Sequence, residues 1–84
     1  MKQTTTEAQA LEELTLLVLY LSSWEEKVAG DLSMRHAWKG HVFEVLDTLA
    51  EKGLIEQKHG NKSLMFTNEG EKQARALIAK YLGK

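Results

Sequence analysis

The side chains in this sequence able to do chemistry near neutral pH are few. Three histidines, His36, His41 and His59, are the only ordinary bases in that range. Cysteine is absent, which removes thiolate metal sites, thiol nucleophiles and disulfides together. His36 and His41 stand five residues apart, a spacing that puts them on different faces of a helix and is poor for a metal. There is no glycine-rich phosphate loop, no paired histidine with glutamate and no nucleophile signature. The reading is a non-catalytic protein without cofactor or metal, its histidines placed at the surface or in turns.

What remains is charge. Arg35, His36 and Lys39 precede a helix that starts near His41, and Lys58, His59 and Lys62 crowd a turn. Arg35, Lys39 and His41 at a helix N-terminus, with Lys58 and Lys62 opposite, would clamp phosphates on either side of a double-stranded DNA groove. Lysines around a turn also serve simply as solvated guards of a ribbon edge. The helix itself argues against DNA, because its outward positions are His41, Glu44, Asp47, Thr48 and Glu51, with Lys52 last. Three acids there would repel the backbone that a reading helix must approach. A net charge of −1 gives no basic excess either.

The elements that must hold these groups are legible from residue 41 onward. Val42, Val45, Leu46 and Leu49 recur at helical spacing, with Phe43 and Ala50 on the flanks, and Gly53 supplies the left-handed residue that ends the helix. Residues 54–58 and 63–67 alternate as two short strands around His59-Gly60-Asn61-Lys62. With Gly60 and Asn61 as the two-residue loop, His59 pairs with Lys62, Ile55 faces Phe66 and Gln57 faces Leu64. Leu54, Glu56 and Met65 take the other side of the ribbon. A last helix over about 68–82 is capped by Thr67 or Asn68, the latter with Glu71 in capping-box spacing, and carries Ala74, Leu77, Ile78 and Tyr81 as its stripe.

Before that half lies a first helix ending near Ser22, capped by Thr4 with Glu7 or by Thr6 with Gln9. It is apolar on nearly every side: Leu11, Leu14, Val18 and Leu21 form one stripe, and Leu16, Leu19 and Tyr20 cover the opposite surface. So small a chain has too little material to bury both, which points to a second copy. The interface residues expected are Leu16, Leu19, Tyr20, Ile78 and Tyr81. Residues 22–40 are expected to hold a short helix over 33–38 or almost none, with Trp24 and Trp38 closing the core at its two ends. An exposed binding role is the alternative for Trp38.

With 43% hydrophobic and 27% charged residues in 84, the composition is that of a single ordinary domain, residues 1–5 being a flexible tail. No apolar run is long enough to span a membrane and no signal-like segment opens the chain, so a cytoplasmic location is expected. The fold class expected is α+β, mostly α and winged-helix-like: helix, short helix or loop, helix, two-stranded hairpin wing, C-terminal helix. LVLYLSSW at 17–24, HAWKG at 36–40, LDTLAEKGLI at 46–55 and FTNEG at 66–70 resemble a family of small bacterial proteins catalogued only as a domain of unknown function. The Ala37 to Gly40 run is the most particular of these, and this chain departs in a longer connection around 25–34. The resemblance implies a winged-helix-like fold and brings no activity. Two functions are carried forward: DNA-binding regulation by fold analogy, and a homodimeric protein-interaction module that has lost DNA binding.

Overall fold

Two extended strands, not a short helix, follow the first helix. The computed structural model describes residues 6–40, 43–58 and 60–83. In them the chain runs α1 (Glu7–Leu21), β1 (Trp24–Ala29), β2 (Leu32–Trp38), α2 (Phe43–Glu51), β3 (Ile55–Gln57), β4 (Ser63–Phe66) and α3 (Asn68–Leu82). The α+β class is as expected, but the short helix or loop over residues 22–40 is replaced by a β-hairpin. Gly30 and Asp31 make its two-residue turn, Gly30 at φ 52° and Ala29 paired with Leu32 across it. Such a Gly-Asp pair between two runs of extended residues breaks a helix and favours a hairpin.

That hairpin does not stand alone. β2 pairs with β4 through His36 and Met65, Ala37 and Leu64, and Trp38 and Ser63, giving one antiparallel sheet in the order β1-β2-β4-β3. The β3–β4 register is the expected one, Ile55 across from Phe66 and Gln57 across from Leu64. The turn between them differs by one position. Asn61 N–H donates to Lys58 O at 3.1 Å and Gly60 takes φ 84°, while Asn61 keeps a negative φ, so the loop is closed at 58 and 61. A single glycine provides the left-handed residue that this turn needs. The expected pairing of His59 with Lys62 falls on His59, outside the described residues, as do the 1–5 tail with its Thr4 cap, and His41 and Val42.

The corner after α2 shows why two glycines sit where they do. Gly53 N–H donates to Ala50 O and Leu54 N–H to Leu49 O, both at 3.0 Å, with Gly53 at φ 78°. This is the paired capping pattern of a left-handed helix end, and it buries Leu54 beside Leu49. Against that corner docks α3. Thr67, not Asn68, is its N-cap: Thr67 Oγ1 accepts from Gly70 N–H at 2.9 Å and donates to Gly53 O at 2.6 Å, and Thr67 N–H donates to Leu54 O at 3.1 Å. Gly70 presses so close that a Cβ built on it would lie 1.8 Å from the Leu54 carbonyl oxygen.

One core lies between the inner face of the sheet and the helices. Ala37, Ile55, Leu64 and Phe66 supply the sheet side, and Leu16, Leu19, Val45, Leu46, Leu49 and Ala74 the helix side. Tyr20 meets Phe66 edge to face, centroids 5.6 Å apart. The α1 cap is the Thr6 and Gln9 alternative, both halves of the box being formed. Replacing Gly70 with alanine should therefore be among the most damaging conservative changes. We expect G70A to lose at least about 2 kcal/mol in urea unfolding, since the backbone of Leu54 must move to admit a methyl. A wild-type unfolding midpoint for G70A would contradict the close approach.

Candidate functional site

Pairing in register puts one row of side chains on the outer side of the sheet: Trp24, His36, Met65 and Glu56, one from each strand. Trp38 and Met34 share this side, two residues either way from His36. No helix among the described residues covers it, because the core lies on the other side. The two tryptophans therefore do not close the core as expected. Trp24 is half-buried and Trp38 is 63% exposed, and their rings meet each other at 4.9 Å. His36 is not a surface or turn residue either. It is buried beneath Trp24, stacked at 22°, and its Nδ1–H donates to Met34 O at 3.1 Å, which makes it packing within the sheet.

At the Trp38 end the sheet opens into a cleft of about 570 Å³ lined by Trp38, Lys39, Gly40, Phe43, Asn61 and Lys62. Phe43, expected at the edge of a buried stripe, is 65% exposed and lines the same cleft. Lys39 N–H donates to Lys62 O at 2.8 Å, and Lys39 Nζ to Lys58 O at 3.1 Å. Of the expected phosphate clamp, Lys39, Lys58 and Lys62 thus come together at one end of the sheet. Arg35 does not join them. On the inner side of β2, its guanidinium lies 5.0 Å from the centre of the Tyr20 ring, Nε–H donates to Ser23 Oγ at 2.7 Å and Nη1 meets Glu25 at 3.4 Å. Those contacts tie β2 to the end of α1, a structural task. The acids of α2 face outward as expected, with Asp47 accepting from Gln57 Nε2 at 3.0 Å.

The other unusual surface is on α1. Leu16 and Leu19, expected at an interface between copies, are buried in the chain's own core at 2% and 0% exposure, so no second chain can reach them. Tyr20 packs on the same core, and Ile78 is half-buried. The stripe left outside is the other one: Leu11, Leu14, Val18 and Leu21 are each between 42% and 56% exposed. Tyr81 and Leu82, at the end of α3, are exposed too. Helical spacing marked both stripes, and only the position of the sheet decides which is covered. For Trp38 the legible signal is the alternation of His36, Ala37 and Trp38, which sends a tryptophan to the side opposite a buried alanine.

No cluster of three His, Asp or Glu placed for a metal occurs among the described residues. No helix there is long and apolar enough to cross a membrane. A family model matches residues 7–84, and the chain belongs to that family, described as Domain of unknown function (DUF6429). No curated protein and no solved structure matches it.

The groups with displaced pKa values lie where α3 meets α1, away from the cleft, and have a structural cause. Glu13 on α1 accepts from Lys80 Nζ at 2.9 Å and from Tyr81 Oη at 2.8 Å on α3. The hydrogen bond from Lys80, then that from Tyr81, holds the Glu13 carboxyl below its ordinary range, and the same contact with Glu13 raises both Lys80 and Tyr81. A depressed carboxyl contributes stability above its unfolded pKa and loses it as pH falls through the folded one. A raised lysine contributes below its unfolded pKa and loses it as pH rises through the folded one. The contact is therefore complete at neutral pH. We expect the stability difference between wild type and E13Q to be small but measurable at pH 7 and to vanish in acid, read by urea midpoints across pH. A difference independent of pH would contradict this linkage.

Proposed function

We propose, for a member of a family without an assigned activity, that this protein is a small non-catalytic interaction module that works as a homodimer paired through the outer face of α1. The observation that carries it is the spacing of the exposed stripe. Leu11, Leu14, Val18 and Leu21 recur at three, four and three residues, the a and d positions of a heptad, and no charge interrupts them. Single exposed leucines are ordinary, but four in line on one helix are the seam of a helix pair. The stripe spans about 15 Å of helix at 1.5 Å per residue. Flanking it, Thr15 and Leu17 are buried in the chain itself, so the seam is narrow. Glu13 draws the end of α3 toward α1, and Tyr81 and Leu82 there are exposed as well. A contact of that size falls toward the low end of stable interfaces, and the expected dimer exchanges with monomer at micromolar concentrations.

The second reading, duplex-DNA regulation on a winged-helix-like frame, draws support from the order α2, β3, β4, α3 and from the gathering of Lys39, Lys58 and Lys62. It draws none from α2, whose outward side is Glu44, Asp47 and Glu51, and none from residues 24–38, where a strand pair stands in place of the first helix of a helix-turn-helix.

Sedimentation equilibrium over a wide concentration range tests the homodimer. Wild type should move from one chain mass toward two, and V18D should weaken the association at least about tenfold, since each tenfold is about 1.4 kcal/mol and a charge in the seam costs more. A wild type that stays monomeric at the highest concentration would contradict it.

A further inference from the structure

The cleft at the Trp38 end of the sheet is unexplained by pairing through α1, and its chemistry is specific. A chain of this size has six aromatic side chains to build a core with, and two of them, Trp38 and Phe43, line this one cleft at 63% and 65% exposure. Leaving two such rings in water gives up some of the largest apolar burial that the sequence offers. Around them the lining contains Lys39 and Lys62 and no acid, with Lys58 joined to the rim through the Lys39 bond, although the whole chain carries a net charge of −1. Two exposed aromatic rings with lysines beside them suit a ligand that is flat and apolar in one part and anionic in the next.

The geometry points to a single-stranded nucleic acid segment as that ligand, its bases stacked on the exposed rings of Trp38 and Phe43 and its phosphates on Lys39, Lys58 and Lys62. A base presents a π-face only when it is unpaired, and stacking on aromatic side chains with lysines along the backbone is how sequence-tolerant single-strand sites work. A duplex fits poorly. It offers no free base face, and its width would bring its phosphates over Glu44 and Asp47 of α2, next to Phe43. The aromatic row continues from Trp38 to Trp24, but Glu26 accepts from Trp24 Nε1 at 3.1 Å and Glu56 lies at the far edge of the same side. The strand accordingly runs off the Trp38 end and does not cross the whole sheet.

Fluorescence anisotropy of the full chain with a labelled oligouridylate, the matching oligothymidylate and a duplex of equal length, at low salt and then rising salt, tests this. Single strands should bind and the duplex should bind more weakly. The single-strand affinity should fall with salt at a log-log slope of about −2, the value for about three neutralised phosphates. W38A and F43A should each lose about tenfold, and K62E should lose affinity and flatten the slope. Both rings are exposed and outside the core, so these variants should keep the wild-type circular dichroism, F43A also the unfolding midpoint, while W38A loses only what its ring contact with Trp24 contributes. Duplex binding equal to or tighter than single strand, no binding at low salt, or folded W38A and F43A variants that bind as wild type would each overturn the inference.

Discussion

The pairing of β2 with β4 is the constraint on which the rest depends. Without it the chain holds two separate hairpins, each marginal in water, and with it there is one four-stranded sheet whose inner side is Ala37, Leu64, Phe66 and Ile55. A strand has only two sides, so placing Ala37 inward commits His36 and Trp38 to the outside. The helices are then confined to the inner side by the core they share. An open sheet face follows directly, and so does the fate of α1, which lays Leu16 and Leu19 on the core and has Leu11, Leu14, Val18 and Leu21 left over.

The corner formed by Gly53, Leu54, Thr67 and Gly70 sets where the helices stand relative to that sheet. A helix end closed by a left-handed glycine delivers Leu54 into the core, and the same backbone carbonyl that Leu54 presents is met by α3 at a distance that only glycine allows. The N-cap of α3 worth about 1 kcal/mol is thus also a tertiary contact, since Thr67 reaches back to Gly53 O. Around this rigid half the surface ion pairs, Glu12 with Lys52 and Glu13 with Lys80, hold α1 to both neighbours. They are exposed and individually weak. Packing, not charge, carries the fold.

How much of this was legible differs between the two halves for physical reasons. The register of β3 and β4 could be counted from Gly60 outward because one side of that ribbon is buried and alternates cleanly, and Gly53 announces a helix end by its type. β1 alternates around charges on both sides, WEEKVA, because that strand is an exposed edge with nothing to bury it, so the period of two carries no hydrophobic signal there. Gly30-Asp31 was the cue that remained. Arg35 looked like a free cation by type, and only strand parity sends it inward to Tyr20. For α1 the sequence declared a surplus apolar face but not which one. The choice between a buried and an exposed Trp38 stays open in the sequence for a related reason: residue type argues for burial, whereas its side of the sheet is decided by helices far away in the sequence.

Backbone NMR of residues 33–38 and 63–66 measures the pairing of β2 with β4 directly. Cross-strand contacts should link His36 with Met65, Ala37 with Leu64 and Trp38 with Ser63, together with slow amide exchange along β2. Sequential helical amide contacts through residues 33–38, with no contacts to β4, would contradict it and remove the open sheet face at once.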